Sequence, residues 1–329
     1  MAGLRTGLPG PAAVLYQIRP DAGYVLGLDV GREYLRGALA DVAGSVRARS
    51  SRKVATATAR ERVAELIILA DELAGSAGIT RNRVTQVVVG SPGVYDPGRA
   101  ALIMAANFPG WESPRVLAEL QKSLGPTTIV ENDVDLAALA ERDLGHGRKV
   151  RNFCVVSVGT GIGMGLVIDG QLHRGAHGAA GEIAYLPLAG PEVSAAEARR
   201  RGLLEAVASA SAVVRAARVA GLPGSASARR VFDAAARGDA RAALVVEQEV
   251  RLVARAVSSV VAVVDPELVV LGGGIGQAPG FAAAVAAELE RLVPFLPEVR
   301  VSALGHDAVV DGALALGLER AWRRVVERV

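Results

Sequence analysis

The first strong signal along the chain is an unbroken apolar run at Tyr24–Val30, YVLGLDV, which ends at Gly31. Such a run, bounded by a turn residue, predicts a strand buried on both faces. Two further strands are predicted in LRGALAD and SVRARSSRKV. ARERVAELIILADELAGSAG changes period: Val63, Leu66, Ile67 and Leu73 recur at helical spacing. QVVVGSPG is a strand running into a loop, and TTIVEND is another. VDLAALAERDLG is a helix that Gly145 caps. The second half starts in the same way. NFCVVSV is a strand, GTG a turn, MGLVIDG a returning strand and DGQL the next turn. A long helical tract from about Ala195 to Val264 follows, then the strand ELVVLGGG and a last helix from about Asp311 to Glu327.

Each half thus opens with strand, glycine turn, strand and then adds helices, a weak internal repeat of GLDVG against SVGTGIG. The pattern predicts two α/β domains around a cleft. Residues 1–22, rich in Gly and Pro, read as a tail or residual linker. Residues 23–134 form an N-terminal domain, completed by the C-terminal helix 311–327, and 135–310 form the second.

Composition narrows the class. With 329 residues the chain can bury a large core. Hydrophobic residues are 51% and aromatics only 4%, so that core is mostly Ala, Val and Leu. The net charge of +3 is small and the arginines are scattered, so basicity gives no argument for nucleic acid. Arg199, Arg200 and Arg201 read as a solvated helix face. Cys154, the one cysteine, sits in an apolar run and reads as a small core residue. One thiol can build neither a disulfide nor a cysteine zinc site, and His146, His173, His177 and His306 show no metal spacing. No apolar run is long enough to span a bilayer, which leads to the expectation of a cytoplasmic protein with no membrane partner.

The chemistry concentrates in three glycine turns and one acid. The turns are Asp29–Val30–Gly31, Gly159–Thr160–Gly161 and the run from Gly272 through Gly273, Gly274 and Ile275 to Gly276. Glycine lets backbone N–H groups approach an anion closely. No turn is followed by Gly-Lys-Ser/Thr, and none fits the dinucleotide fingerprint. In SVGTGIGMG the glycines at 159, 161, 163 and 165 alternate, which suits either a tight hairpin in a crowded core or a phosphate cradle. Asp133 closes IVEND at a strand-to-helix junction, where it can cap the helix or act as general base toward a sugar hydroxyl. Spacing alone favours the cap.

From GSPGVYDP through NFPGW, END, SVGTGIGMGLVIDG and RGAHGAAGEI to VVLGGGIG, the chain resembles the ROK family (repressor, ORF, kinase) over roughly residues 23–325. The resemblance implies an α/β actin-like, ribonuclease-H-like ATPase fold of two domains enclosing a sugar and, in kinase members, ATP. It makes Asp133 the catalytic base and Asn107, Asn132, Glu182 and Glu205 sugar contacts. Asp29, Gly31, Gly159, Thr160, Gly161, Gly273 and Gly274 then become nucleotide-side positions. It also implies a homodimer.

The departures from the family pattern carry equal weight. Kinase members have Asp-x-Gly-Gly-Thr-Lys at the first turn, where this chain has Arg32 and Glu33 in place of the second Gly and the Thr. A carboxylate there repels phosphate. Tyr185 stands at the family's zinc histidine, and Ala196, Ala198 and Leu203 at its cysteines, so no zinc is expected. Tyr185 can instead offer its hydroxyl to the sugar, and apolar contacts are expected to hold the loop.

The tail resembles the junction between a winged helix-turn-helix and the sugar domain of ROK repressors. Residues 1–22 cannot supply such a domain, so DNA is a partner only if that domain is missing from this chain. Three readings follow. The first is a sugar-responsive regulator-type effector domain without strong kinase activity. The alternative is an ATP-dependent hexose kinase, glucokinase-like, using Asp133 with ATP and Mg. A scaffold with an empty cleft is the third, and the retained polar set speaks against it.

Overall fold

The computed structural model describes all residues except 1–2, 6–12, 16–17, 56–57, 97, 106, 189–192, 225–226 and 327–329. Part of the tail-or-linker reading of 1–22 therefore lies outside the described residues. Within that stretch β1 (Gly3–Arg5) pairs antiparallel with β2 (Ala13–Leu15).

The first large sheet holds β3 (Tyr24–Val30), β4 (Tyr34–Asp41), β5 (Val46–Lys53), β6 (Val84–Ser91) and, after the small pair β7 (Val94–Asp96) and β8 (Ala101–Ile103), β9 (Thr128–Asn132). Its order is β5-β4-β3-β6-β9, with β3–β4–β5 antiparallel and β3–β6–β9 parallel. The second sheet contains β10 (Phe153–Val158), β11 (Ile162–Ile168), β12 (Gln171–Leu172), β13 (Leu268–Gly272) and β14 (Glu298–Val301), in the order β12-β11-β10-β13-β14. Its first three strands are again antiparallel and β10–β13–β14 parallel. The weak sequence repeat is one five-stranded topology used twice.

β3 is buried along its whole length because helices cover both faces. On one face Leu26, Leu28 and Val30 pack against α1 (Ala59–Ser76) and α2 (Pro114–Leu124) through Leu66, Leu69 and Leu120. On the other, Val25 meets Val310 and Leu314 of α11 (Ala308–Val326). α3 (Asp133–Asp143) lies between the sheets: Leu136 and Leu139 face Val88 and α11, while Ala137 and Ala138 face Phe153, Val155 and Val167. A boundary at 134/135 falls inside this helix, which serves both sheets. Leu144 ends it and Gly145 keeps negative φ, so the expected glycine cap is absent.

The tract 195–264 is not one helix but five: α4 (Ala195–Arg201), α5 (Leu203–Val207), α6 (Ala210–Val219), α7 (Ala228–Ala236) and α8 (Ala240–Val264). Ser194 caps the first of them; Ser209, Ser227 and Asp239 cap α6, α7 and α8, while α5 restarts at Gly202 without a side-chain cap. α8, with α10 (Phe281–Leu289) beyond the short α9 (Gly273–Gly276), covers the outer face of the second sheet, where Cys154 is fully buried. Burial pushes its thiol up to about 12, the behaviour of a core residue rather than a nucleophile. Among the described residues no helix is long and apolar enough to cross a membrane.

Candidate active site

The carboxyl ends of β3, β9, β10 and β13 carry Asp29, Asp133, Gly159 and the turn at Gly273 respectively. Open α/β sheets place ligands at these strand ends. A pocket there is lined by Asn107, Asp133, Thr160, Gly161, Glu182 and Glu205, with Asn132, Asp135, Tyr185 and Arg201 among its other walls.

The helix cap is Asn132, not Asp133. Asn132 Oδ1 accepts the backbone N–H groups of Val134 (2.9 Å) and Asp135 (3.1 Å). Asp133 becomes the first helical residue, its carboxylate facing the pocket while Oδ1 takes the Val134 N–H at 2.9 Å. The same geometry weakens Asn132 as a sugar contact. Its oxygen is engaged twice, and Nδ2 donates to the Gly93 carbonyl at 3.1 Å, leaving one free N–H.

Burial pushes Asp133 up from 3.8 to about 6, against the pull of its backbone hydrogen bonds. Asp29 is pushed up to about 7, by burial first and then by the Asp133 charge, with Arg36 Nη1 at 3.4 Å from Oδ2 pulling it down. Glu182 rises to about 7 through burial and the charges of Asp133 and Glu205.

Gly181 places Glu182. Its φ is +90°, its carbonyl accepts the Met164 N–H at 3.1 Å, and a Cβ there would stand 2.0 Å from the Met164 carbonyl oxygen. Glu205 is buried, with Oε1 accepting Asn107 Nδ2 at 2.8 Å and Oε2 the Ile162 N–H at 3.2 Å. Asn107 sits on a loop pinned by Trp111, which is buried and donates through Nε1 to Ser91 Oγ at 2.8 Å. Tyr185 is 37% exposed, and its hydroxyl is pushed up by burial and by Glu182.

The alternating glycines divide their work. A Cβ at Gly165 would lie 2.5 Å from the Val134 carbonyl and 2.8 Å from Ala138 Cβ; one at Gly163 would lie 3.2 Å from Val134 Cγ2. These two let α3 close onto β11. A Cβ at Gly161 would strike Glu205 Oε2 at 2.4 Å, and one at Gly159 would stand 3.4 Å from Gly274 N. Gly273 has φ +75°, and a Cβ there would meet the Val158 carbonyl at 2.4 Å, whereas the space at Gly274 is open. The crowded-core reading of SVGTGIGMG holds for Gly161, Gly163 and Gly165, while Gly159 brings its turn edge to edge with the turn at Gly273–Gly274.

At the first turn Arg32 and Glu33 are exposed. Arg62 Nη1 holds the turn from below, donating to the Gly31 carbonyl at 2.6 Å. Around the lost zinc positions the loop is not held by apolar contact alone. Arg201 turns inward, its side chain 12% exposed, instead of lying on a solvated face; Arg199 and Arg200 stay exposed. Sequence reasoning missed Arg201, and also Asp135, which burial and Glu131 push up to about 8. An acid two residues beyond Asp133 was a visible signal for the second.

The glucokinase of Thermotoga maritima is 33% identical over 252 residues, covering 71% of this chain and 79% of that protein. The N-acetylmannosamine kinase of Citrobacter koseri is 32% identical over 296 residues, covering 88% and 97%. Among solved structures, a ROK family transcriptional regulator, a homologue of the E. coli MLC protein, superposes with a TM-score of 0.76 at 27% identity over 94% of this chain and 83% of that one. The two-sheet architecture is the actin-like, ribonuclease-H-like ATPase fold. The ROK family pattern matches residues 25–320, nearly the whole chain with both sheets and every pocket residue named above, and the chain therefore belongs to the ROK family.

Proposed function

We propose that the chain is an ATP-dependent sugar kinase acting on a hexose or N-acetylhexosamine, with Asp133 as general base. The observation that carries this reading is the Asp133 carboxylate. It is released from capping by Asn132, pushed up to about 6, and set beside Glu182 and Glu205 in one pocket. A base titrating near the working pH is the useful one for drawing a proton from a hydroxyl. The kinase names of two relatives support the same reading.

In this mechanism Asn107, Glu182 and Glu205 hold the sugar hydroxyls from both sides of the cleft. Each carboxylate accepts hydrogen bonds from the hydroxyls, and Asn107 donates through the N–H that Glu205 leaves unused. Asp133 takes the proton of the reacting hydroxyl as the oxygen becomes a nucleophile. Gly159–Thr160–Gly161 and Gly273–Gly274 would take the phosphates: a Cβ at Gly159 would stand 3.4 Å from Gly274 N, so the two turns face each other with bare backbone. Asp29 would hold the magnesium. Bound MgATP supplies the transferable phosphoryl group.

The expectation of a regulator without kinase activity rested on Glu33, the missing zinc ligands and the linker-like tail. Glu33 is exposed. Its repulsion of a phosphate charge ~4 Å away is then near the aqueous limit of about 1 kcal/mol, too small to exclude nucleotide. The regulator remains a second reading because of Tyr185 at the histidine position and the likeness to a regulator structure. A coupled ADP-release assay over glucose, mannose, N-acetylglucosamine and N-acetylmannosamine separates the two. The kinase reading expects turnover with at least one sugar, lost in Asp133→Asn. Equal background in both proteins, with a sugar still raising Tm, supports the regulator. The homodimer is part of the proposal, and light scattering on the purified chain checks it.

A further inference from the structure

Arg201 lies where the family's zinc loop runs, yet its guanidinium reaches across the cleft. Nη2 donates to Asn107 Oδ1 at 3.1 Å. Nε stands 3.6 Å from Glu205 Oε1, and Nη1 3.6 Å from Glu197 Oε1. Asn107 in turn donates to Glu205 Oε1 at 2.8 Å. The ring Arg201–Asn107–Glu205 thus ties the loop after β8 to α4 and α5 beyond the second sheet. It also fixes which way the Asn107 amide faces: with its oxygen held by a guanidinium, its N–H groups must point to Glu205 and the pocket. Glu205 gains a counter-charge where burial would otherwise penalise it.

From this geometry we infer that Arg201 is a positioning residue of the sugar site. It presets Asn107 and Glu205 and pins the stretch 107–112 across the cleft before ligand arrives. Only a planar fork can serve three partners in three directions; a lysine ammonium supplies the charge without the fork. The claim that the ring tunes sugar affinity rests on the kinase reading, whereas the pinning of the loop does not.

The test compares wild type with Arg201→Met, Arg201→Lys and, as a surface control, Arg199→Ala. Hydrogen–deuterium exchange is followed without any sugar across 105–112. There the amides of Ala105, Phe108 and Trp111 are bonded to Glu112 Oε1, the Ala105 carbonyl and the Phe108 carbonyl. Exchange should accelerate about tenfold or more in both Arg201 variants and stay unchanged in Arg199→Ala. With the best sugar of the panel, KM should rise about tenfold in Arg201→Met while kcat changes less than threefold. Wild-type exchange in Arg201→Met overturns the inference, and so does full restoration by Arg201→Lys, which would leave charge alone as the cause. If no sugar is turned over, the kinase reading fails and the exchange result still decides the pinning role.

Discussion

Asp133 shows how one shift of residue numbering separates structure from chemistry. IVEND marked the site, but spacing alone favoured Asp133 as the helix cap, since Asp suits that position as well as Asn does. The backbone answers by giving two amides to Asn132. A stability prediction follows from the raised Asp133 value. The unfolded chain releases this proton near 3.8, and the folded chain keeps it to about 6. Between these values the folded state binds more protons, so stability falls as pH rises through the window and the loss is complete above it. A shift of this size corresponds to at most about 3 kcal/mol, less what water in the open cleft screens. Asp133→Asn should therefore raise Tm at pH 7.5 but not at pH 3.5, while lowering kcat about 10²- to 10⁴-fold. Differential scanning calorimetry at the two pH values and steady-state kinetics check both halves. Wild-type kcat/KM should rise with pH through an apparent value near 6. That value belongs to Asp133 together with Asp29 and Glu182, both of which the Asp133 charge pushes up. Arg201 was not legible, because three consecutive arginines at a helix end look alike until the chain turns one of them inward.

At the scale of elements, α3 is the helix on which the site depends, and glycines set its place. Gly163 and Gly165 admit Val134 and Ala138 from one side. From the other, α11 presses so closely that a Cβ at Gly312 would lie 1.8 Å from the Leu136 carbonyl. α3 cannot move without moving Asp133, so a methyl group placed in this seam should cost activity as well as stability. Gly165→Ala is expected to destabilise by about 1–3 kcal/mol through overpacking and to lower kcat more than it raises KM. Gly170→Ala is a contrasting case. It sits in a turn at φ +75° with nothing near its Cβ, so it should lose some stability but leave kcat alone. Urea unfolding paired with kinetics on both variants makes the comparison. The long strands of both sheets and α1 were legible from periodicity, whereas the short β7, β8, β12 and β14 and the breaks in the tract 195–264 were not. Alanine-rich sequence favours helix throughout, and the interruptions at Gly202 and Ser209 arise from packing against the 183–185 turn and β10.

On the scale of the whole molecule, the repeat that was faint in sequence is complete in topology: two sheets with matching strand order share α3 and α11 between them. It was faint because only the glycine turns and buried strands must match, and each half is free in its helices. The cleft between the sheets is lined from one side by Asn107 and Asp133 and from the other by Glu182 and Glu205. A sugar bound to both sides would bridge the two halves across the cleft, so its binding energy should appear as stability and as closure together. Saturation at about 100 times Kd adds about 2.7 kcal/mol. For a chain of this size that corresponds to a Tm rise of roughly 5 °C. Glu182→Ala removes a pocket carboxylate that the backbone and Arg201 do not tie down, and it should abolish the Tm rise without changing the Tm of the sugar-free protein downward. Thermal shift measured against the sugar panel, with small-angle scattering on the best ligand, reads both effects. A sugar that raised Tm equally in Glu182→Ala and left the scattering radius unchanged would place its binding outside this cleft.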